Sequence, residues 1–148
     1  MSTTEPDFLR AYRGGFTGVL RWPQLEGLWE TVRAAPDGWY IYATGEPPPR
    51  EPASPEDLVR FLSELDALLR RDHAHDYCGI VYADDLRRPA FIKVYDPNNL
   101  GSVCGSAPGG PPPPAWVLST LIPVELATAL PQPAGRRRWW QSLFARRV

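Results

Sequence analysis

HAHDYCGIVYADDLRRPAFIKVYDPNNLGSVCG, residues 73–105, holds both histidines and both cysteines of this 148-residue chain. Its first two thirds read as a pair of strands. Tyr77 to Ala83 and Ala90 to Tyr95 are rich in aromatic and β-branched residues, which suit a pleated, half-buried surface. The connection Asp84 to Pro89 is long enough for an antiparallel hairpin. Pro89 fits the start of a strand, where no ladder N–H is required. Asp96 to Gly101 then interrupts the pattern: Pro fixes φ, while Asn and Gly tolerate positive φ.

Working outward, the segment before this hairpin is a helix. Ser54 supplies an N-cap, Pro55 suits the first helical position, and Glu56 and Asp57 favour the positive end of the helix dipole. Leu58, Phe61, Leu62, Leu65, Leu68 and Leu69 then form one apolar stripe. It should end near Arg70–His73, where basic residues meet the negative end. An earlier helix opens at Pro23, with Leu25, Leu28, Trp29 and Val32 on one face, and Pro36-Asp37-Gly38 closes it. Three more strands are expected: Arg13–Trp22, Trp39–Thr44 and Ala115–Leu121. In the first of these Phe16, Gly18 and Leu20 share one face, and Thr17, Val19 and Arg21 the other. Residues 1–7 read as a loose end, and Pro123–Leu130 as a short helix.

The order β-α-β-α-β-β-β predicts an α+β fold. A mixed, mainly antiparallel sheet of about five strands carries two amphipathic helices on one face, with a short helix near the C-terminal end. Residues 1–130 form the single domain, and 131–148 a proline-linked basic, aromatic segment. Eighteen prolines lift their share well above the usual ~5%, and they cluster as connectors.

The formal charge of −1 carries no footprint of a nucleic-acid binder. Its distribution is uneven. Five of the sixteen basic residues lie in 136–148 with no acid, leaving eleven against seventeen before it: a body of −6 and a segment of +5. No apolar run approaches the ~20 residues of a spanning helix, and the opening residues lack a secretory signal pattern. With two cysteines, a reducing cytoplasmic setting is expected, peripheral to the inner face of the membrane if the basic segment meets lipid.

Four groups of residues are candidates for chemistry. His73, His75, Cys78 and Cys104 offer the nitrogen and sulfur ligands that zinc accepts, although their spacing fits no standard zinc pattern. Cys78 alternates with Ile80 and Tyr82, as a core residue would. Cys104 in a glycine-rich loop, His75 as base and Asp96 as orienting acid are the parts a thiolate enzyme needs. Asp84, Asp85 and Asp96 at the strand ends read as turn-stabilising acids more readily than as an acid/base pair. Pro111–Pro114 reads as a stiff spacer or a partner's polyproline ligand.

The most specific signal is GRRRWWQSLFARRV. Arg136, Arg137 and Arg138 precede Trp139, Trp140, Leu143 and Phe144, which share one helical side. Cations around an aromatic face suit an anionic membrane surface or a groove on a protein partner. Docking on the chain's own acidic body competes with both. The leading expectation is therefore an accessory or adaptor protein with no cofactor. It binds through this segment and the Asp96–Gly105 loop, including Asp96, Asn98 and Asn99. The alternatives are a thiol- or metal-dependent enzyme centred on His73, His75, Cys78 and Cys104, and a small-ligand binder using Trp39–Tyr42.

Overall fold

A computed structural model describes residues 5–73, 75–99, 113–126 and 134–144. Among these residues five strands form one sheet: β1 (Thr17–Arg21), β2 (Tyr40–Ala43), β3 (Tyr77–Ala83), β4 (Phe91–Val94) and β5 (Trp116–Ser119). Four α-helices among the described residues accompany it: α1 (Asp7–Tyr12), α2 (Trp22–Ala34), α3 (Pro55–Asp72) and α4 (Ala134–Phe144). The class is α+β, as the sequence predicts.

The strand order is β1-β3-β4-β5-β2, and all four pairings are antiparallel. The expected mixed sheet is thus corrected. A β-α-β start suggests parallel neighbours, but β1 and β2 occupy opposite edges with the other three strands between them. Residues close in sequence across α2 therefore never pair.

Alternation along the strands gives the sheet two apolar faces. Ile41, Ala43, Ile92, Val94, Trp116 and Leu118 join the larger cluster, with Leu25, Leu28, Trp29 and Val32 of α2, and Leu143 of α4. The α3 stripe lies in the same cluster, and all six of its members are at most 1% exposed. Each such side chain contributes about 1.5–3 kcal/mol of transfer free energy, which makes α3 the main apolar lid of that face. Ser54 Oγ caps it, accepting Asp57 N–H at 3.1 Å. At the head of α2 the side-chain oxygen of Gln24 accepts the N–H groups of Leu20 and Arg21 at 3.1 and 3.0 Å.

Phe8, Tyr42, Phe91, Val117 and Leu126 form the smaller cluster. Phe8 is its contribution from α1, a helix that the sequence reading did not expect between the loose end and the first strand. One buried residue in a six-residue helix leaves no periodicity to read. The backbone over 123–126 is not helical, contrary to expectation; Leu126 N–H donates instead to Tyr42 Oη at 3.2 Å. Residues 127–130 lie outside the described residues.

Two glycines show the geometry that shapes β3 and α2. Gly79 sits within β3 at φ +69°, where the pairing with β1 shifts register: Val19 meets Val81, yet Arg21 meets Tyr77. This bulge corrects the expected alternation of Cys78, Ile80 and Tyr82. Cys78 and Ile80 are buried, but Val81 and Ala83 follow them into the cluster while Tyr82 stays half-buried. In β1 the buried residue is Val19, and Leu20 is 61% exposed. Gly27, by contrast, is exposed in mid-helix with nothing within 4 Å of an added Cβ.

Opposite signs follow for two alanine substitutions in urea unfolding. Gly79→Ala should destabilise by about 1–2 kcal/mol, the cost of a left-handed residue with a side chain. Gly27→Ala should stabilise by about 0.5–1 kcal/mol, because glycine in a helix interior is disfavoured.

Candidate functional site

The Arg136 guanidinium brings together three parts of the chain that are distant in sequence. Its Nε donates to Asp96 Oδ2 at 2.8 Å; its Nη2 donates to Asp96 Oδ1 at 3.1 Å and to Asp72 Oδ2 at 2.8 Å. Asp72 ends α3, Asp96 follows β4, and Arg136 lies in the first turn of α4. The bidentate pairing with Asp96 matches the fork of arginine to the two oxygens of a carboxylate. Asp96 is 5% exposed. Its Oδ1 also accepts Asn98 N–H at 2.8 Å, which turns the chain into the short 3₁₀ segment Pro97–Asn99.

Electrostatics at this junction favour the charged forms. Asp72 is lowered to about 2, first by its hydrogen bond with Arg71 and then by Arg136, against the opposing effect of burial. Arg136 is raised, chiefly by its hydrogen bond to Asp96. The junction thus works as a clamp for a guanidinium.

Beyond the clamp, α4 lies on an aromatic floor. The Trp139 ring is 6.2 Å from Phe61 and 5.5 Å from Trp116, and the Trp140 ring is 5.9 Å from Phe61. Leu143 is 6% exposed, and its carbonyl accepts Arg60 Nη1 at 3.1 Å. Arg137 pairs with Glu46 at 3.2 Å, while Arg138 is exposed. The tryptophan side of α4, expected to face a lipid or partner, therefore lies against the chain's own domain. The Phe144 and Asn99 side chains lie outside the described residues. One polar atom of the floor is unmatched: Trp116 Nε1 is buried and has no acceptor among the described residues.

The other sequence candidates are placed differently. His73 is 8% exposed, and its Nε2 lies 2.8 Å from the carbonyl oxygen of Cys78, to which it donates. Cys78 is fully buried, and burial pushes its thiol up. A sealed thiol kept neutral is a poor nucleophile or ligand. His75 is exposed, its ring 4.6 Å from that of His73. Trp22, Arg70, His73, His75 and Asp76 line an open cleft of about 240 Å³. Arg70 there is held by Asp66 and Glu26, each at 2.9 Å. Among the described residues no group of three or more His, Cys, Asp or Glu side chains is disposed to hold a metal. Cys104 lies outside the described residues, as do 100–105 of the expected binding loop and Pro111 and Pro112 of the proline run.

Asp84 and Asp85 act on the hairpin loop. Asp84 Oδ1 accepts the N–H groups of Asp85, Ala90 and Phe91 at 2.9–3.1 Å, and Asp85 Oδ1 those of Arg87 and Arg88. Their lone pairs are committed to shaping the turn.

The sequence reading missed Asp72, Glu46 and the Phe61–Trp116 floor, because nothing local marks them as partners of residues far away. It also missed Lys93 on the opposite face. That ammonium donates to Tyr12 O at 2.7 Å and sits 4.2 and 4.0 Å from the Tyr12 and Phe16 ring centres. Burial lowers its pKa and raises that of Tyr12 to about 12.

Comparison with protein-family models, curated proteins and solved structures finds no match for this chain.

Acid should release α4 before the body unfolds. Asp72 titrates lower in the folded chain than its ordinary 3.8. Its contribution is therefore complete above that value and is lost as pH falls towards about 2. Acrylamide quenching of tryptophan fluorescence should rise across that window as Trp139 and Trp140 become accessible. Arg136→Ala should show the raised quenching already at neutral pH, and a flat response from wild type to acid would contradict the clamp.

Proposed function

We propose that this chain is a non-catalytic binding module, accessory or adaptor in kind. It meets a protein partner through the composite surface made by α4 and the turn after β4. The observation that carries this reading is the double engagement of Arg136 with Asp72 and Asp96. Both segments that the sequence singles out for binding meet at that one junction. A rigid, charge-locked surface suits recognition, since little order remains to be created on binding.

The geometry favours protein over lipid. Membrane insertion uses aromatic rings at the headgroup level. Here Trp139, Trp140 and Leu143 are committed to the chain's own apolar cluster. Outward, α4 offers Arg138 together with Arg137, which stays accessible while pairing with Glu46, and a cationic rim of this kind steers an acidic partner and sets its register. No helix among the described residues is long and apolar enough to cross a membrane. The proposed setting is cytoplasmic, in keeping with the few cysteines.

Affinity capture with wild type and an Arg137→Glu/Arg138→Glu variant tests this reading, alongside sedimentation with phosphatidylglycerol-containing vesicles. A protein retained by wild type and lost by the variant is expected, with no vesicle binding. Equal retention by both chains would remove α4 from the role, and co-sedimentation with vesicles would replace the protein partner by lipid.

A further inference from the structure

Both histidines of the chain line one cleft, and the proposed role of α4 leaves that cleft unused. Trp22 at the head of α2 and Arg70 in the last turn of α3 form one part of it. His73, His75 and Asp76, in the passage from α3 to β3, form the rest. At about 240 Å³ it is smaller than the ~300–1,000 Å³ sites of drug-sized ligands, so it suits a small molecule.

Its walls are held by bonds to the backbone. Trp22 Nε1 donates to His75 O at 2.9 Å, His75 N–H donates to His73 O at 2.9 Å, and His73 Nε2 lies 2.8 Å from Cys78 O. The Arg70 guanidinium sits 4.9 Å over the Trp22 ring, and the His73 ring meets the Trp22 ring edge-on at 6.2 Å. A cleft already held in shape loses little order when it takes a ligand.

Two charges in this cleft are unspent. Arg70 donates from Nε to Asp66 and from Nη2 to Glu26, while its Nη1 has no partner among the described residues. The Asp76 carboxylate is exposed and makes no ion pair or hydrogen bond among the described residues. Opposite charges thus line the same small cleft without pairing with each other. A plain anion would meet an arginine already balanced by two carboxylates, with Asp76 close by. A plain cation would meet Asp76 and leave Arg70 Nη1 unmatched. A ligand carrying both signs satisfies both groups, and the rings of Trp22 and His73 offer its side chain an apolar wall.

We infer that this cleft binds a small zwitterion of the α-amino acid class. Its carboxylate meets Arg70, its ammonium meets Asp76, and its side chain lies against Trp22. The site uses no residue of α4, so its test is independent of partner capture.

The chain has two imidazoles and both line the cleft, so their NMR signals report on it directly. Glycine, L-alanine and L-valine, added to the full chain at constant pH, should shift those signals saturably. Isovalerate and isobutylamine each keep the valine side chain but lack one of its two charges. Both should bind at least about tenfold more weakly than valine, the loss of one charge-assisted pair. Asp76→Asn should weaken valine by a similar factor and leave isovalerate unchanged. Asp76 has no hydrogen bond to lose, and circular dichroism checks that the variant keeps its fold. Arg70→Gln should weaken valine too; if the loss of its bonds to Glu26 and Asp66 unfolds the chain, Asp76→Asn decides alone. No saturable shift from any of the three amino acids at millimolar concentration would overturn the inference. So would isovalerate or isobutylamine binding as tightly as valine, or valine binding equally to wild type and Asp76→Asn, since neither result needs both charges.

Discussion

The apolar stripe of α3 against the sheet is the constraint on which the other elements depend. Six side chains from one helix are sealed in the larger cluster with residues of all five strands and α2. The sheet face is too apolar to meet water, and α3 has no other surface to bury. That mutual requirement fixes where α3 ends. Its last turn places Asp72 beside the chain leaving β4, so the clamp for Arg136 follows from the packing of the core.

The two faces of the sheet are used differently. The larger cluster takes the long amphipathic helices and the aromatic side of α4. The smaller is closed by short pieces: Phe8 from α1, Leu126, and the Tyr12 and Phe16 rings around Lys93. Even a half-buried lysine is costly unless its charge is met. Here a backbone carbonyl and two ring faces meet it, which ties the start of the chain to the middle strand of the sheet.

Much of the fold was legible in the sequence, and the reasons are local. The α3 stripe repeats with helical spacing behind Ser54 and Pro55, so period and cap agree. The hairpin was legible from two β-rich runs across a short turn. Strand order was not, because β2 pairs with β5 across most of the chain and nothing near either strand encodes that choice. Gly79 hid a change of face, since a single glycine in a strand does not announce its φ. At the candidate site, Arg136, Trp139 and Trp140 stood out by composition, but Asp72 looked like one charge in a solvated run. Whether an arginine–tryptophan segment faces outward or onto its own domain depends on a floor built from Phe61 and Trp116, which only the assembled sheet creates.

The strand order also sets a timetable. β2 is made early, yet among the described residues its one neighbour in the sheet is β5, where Tyr40 meets Ser119 and Ala43 meets Trp116. Pairings this distant in sequence close slowly, because a long loop must be ordered before any contact repays it. Until β5 arrives, the Tyr-Ile-Tyr-Ala run presents two unpaired edges of an apolar strand, the form most open to wrong pairing. The chain follows it directly with Gly45 to Pro52, where four prolines cannot donate to a ladder and cannot extend the strand. The proline-rich connector therefore keeps the exposed strand short during the interval before its sheet is complete.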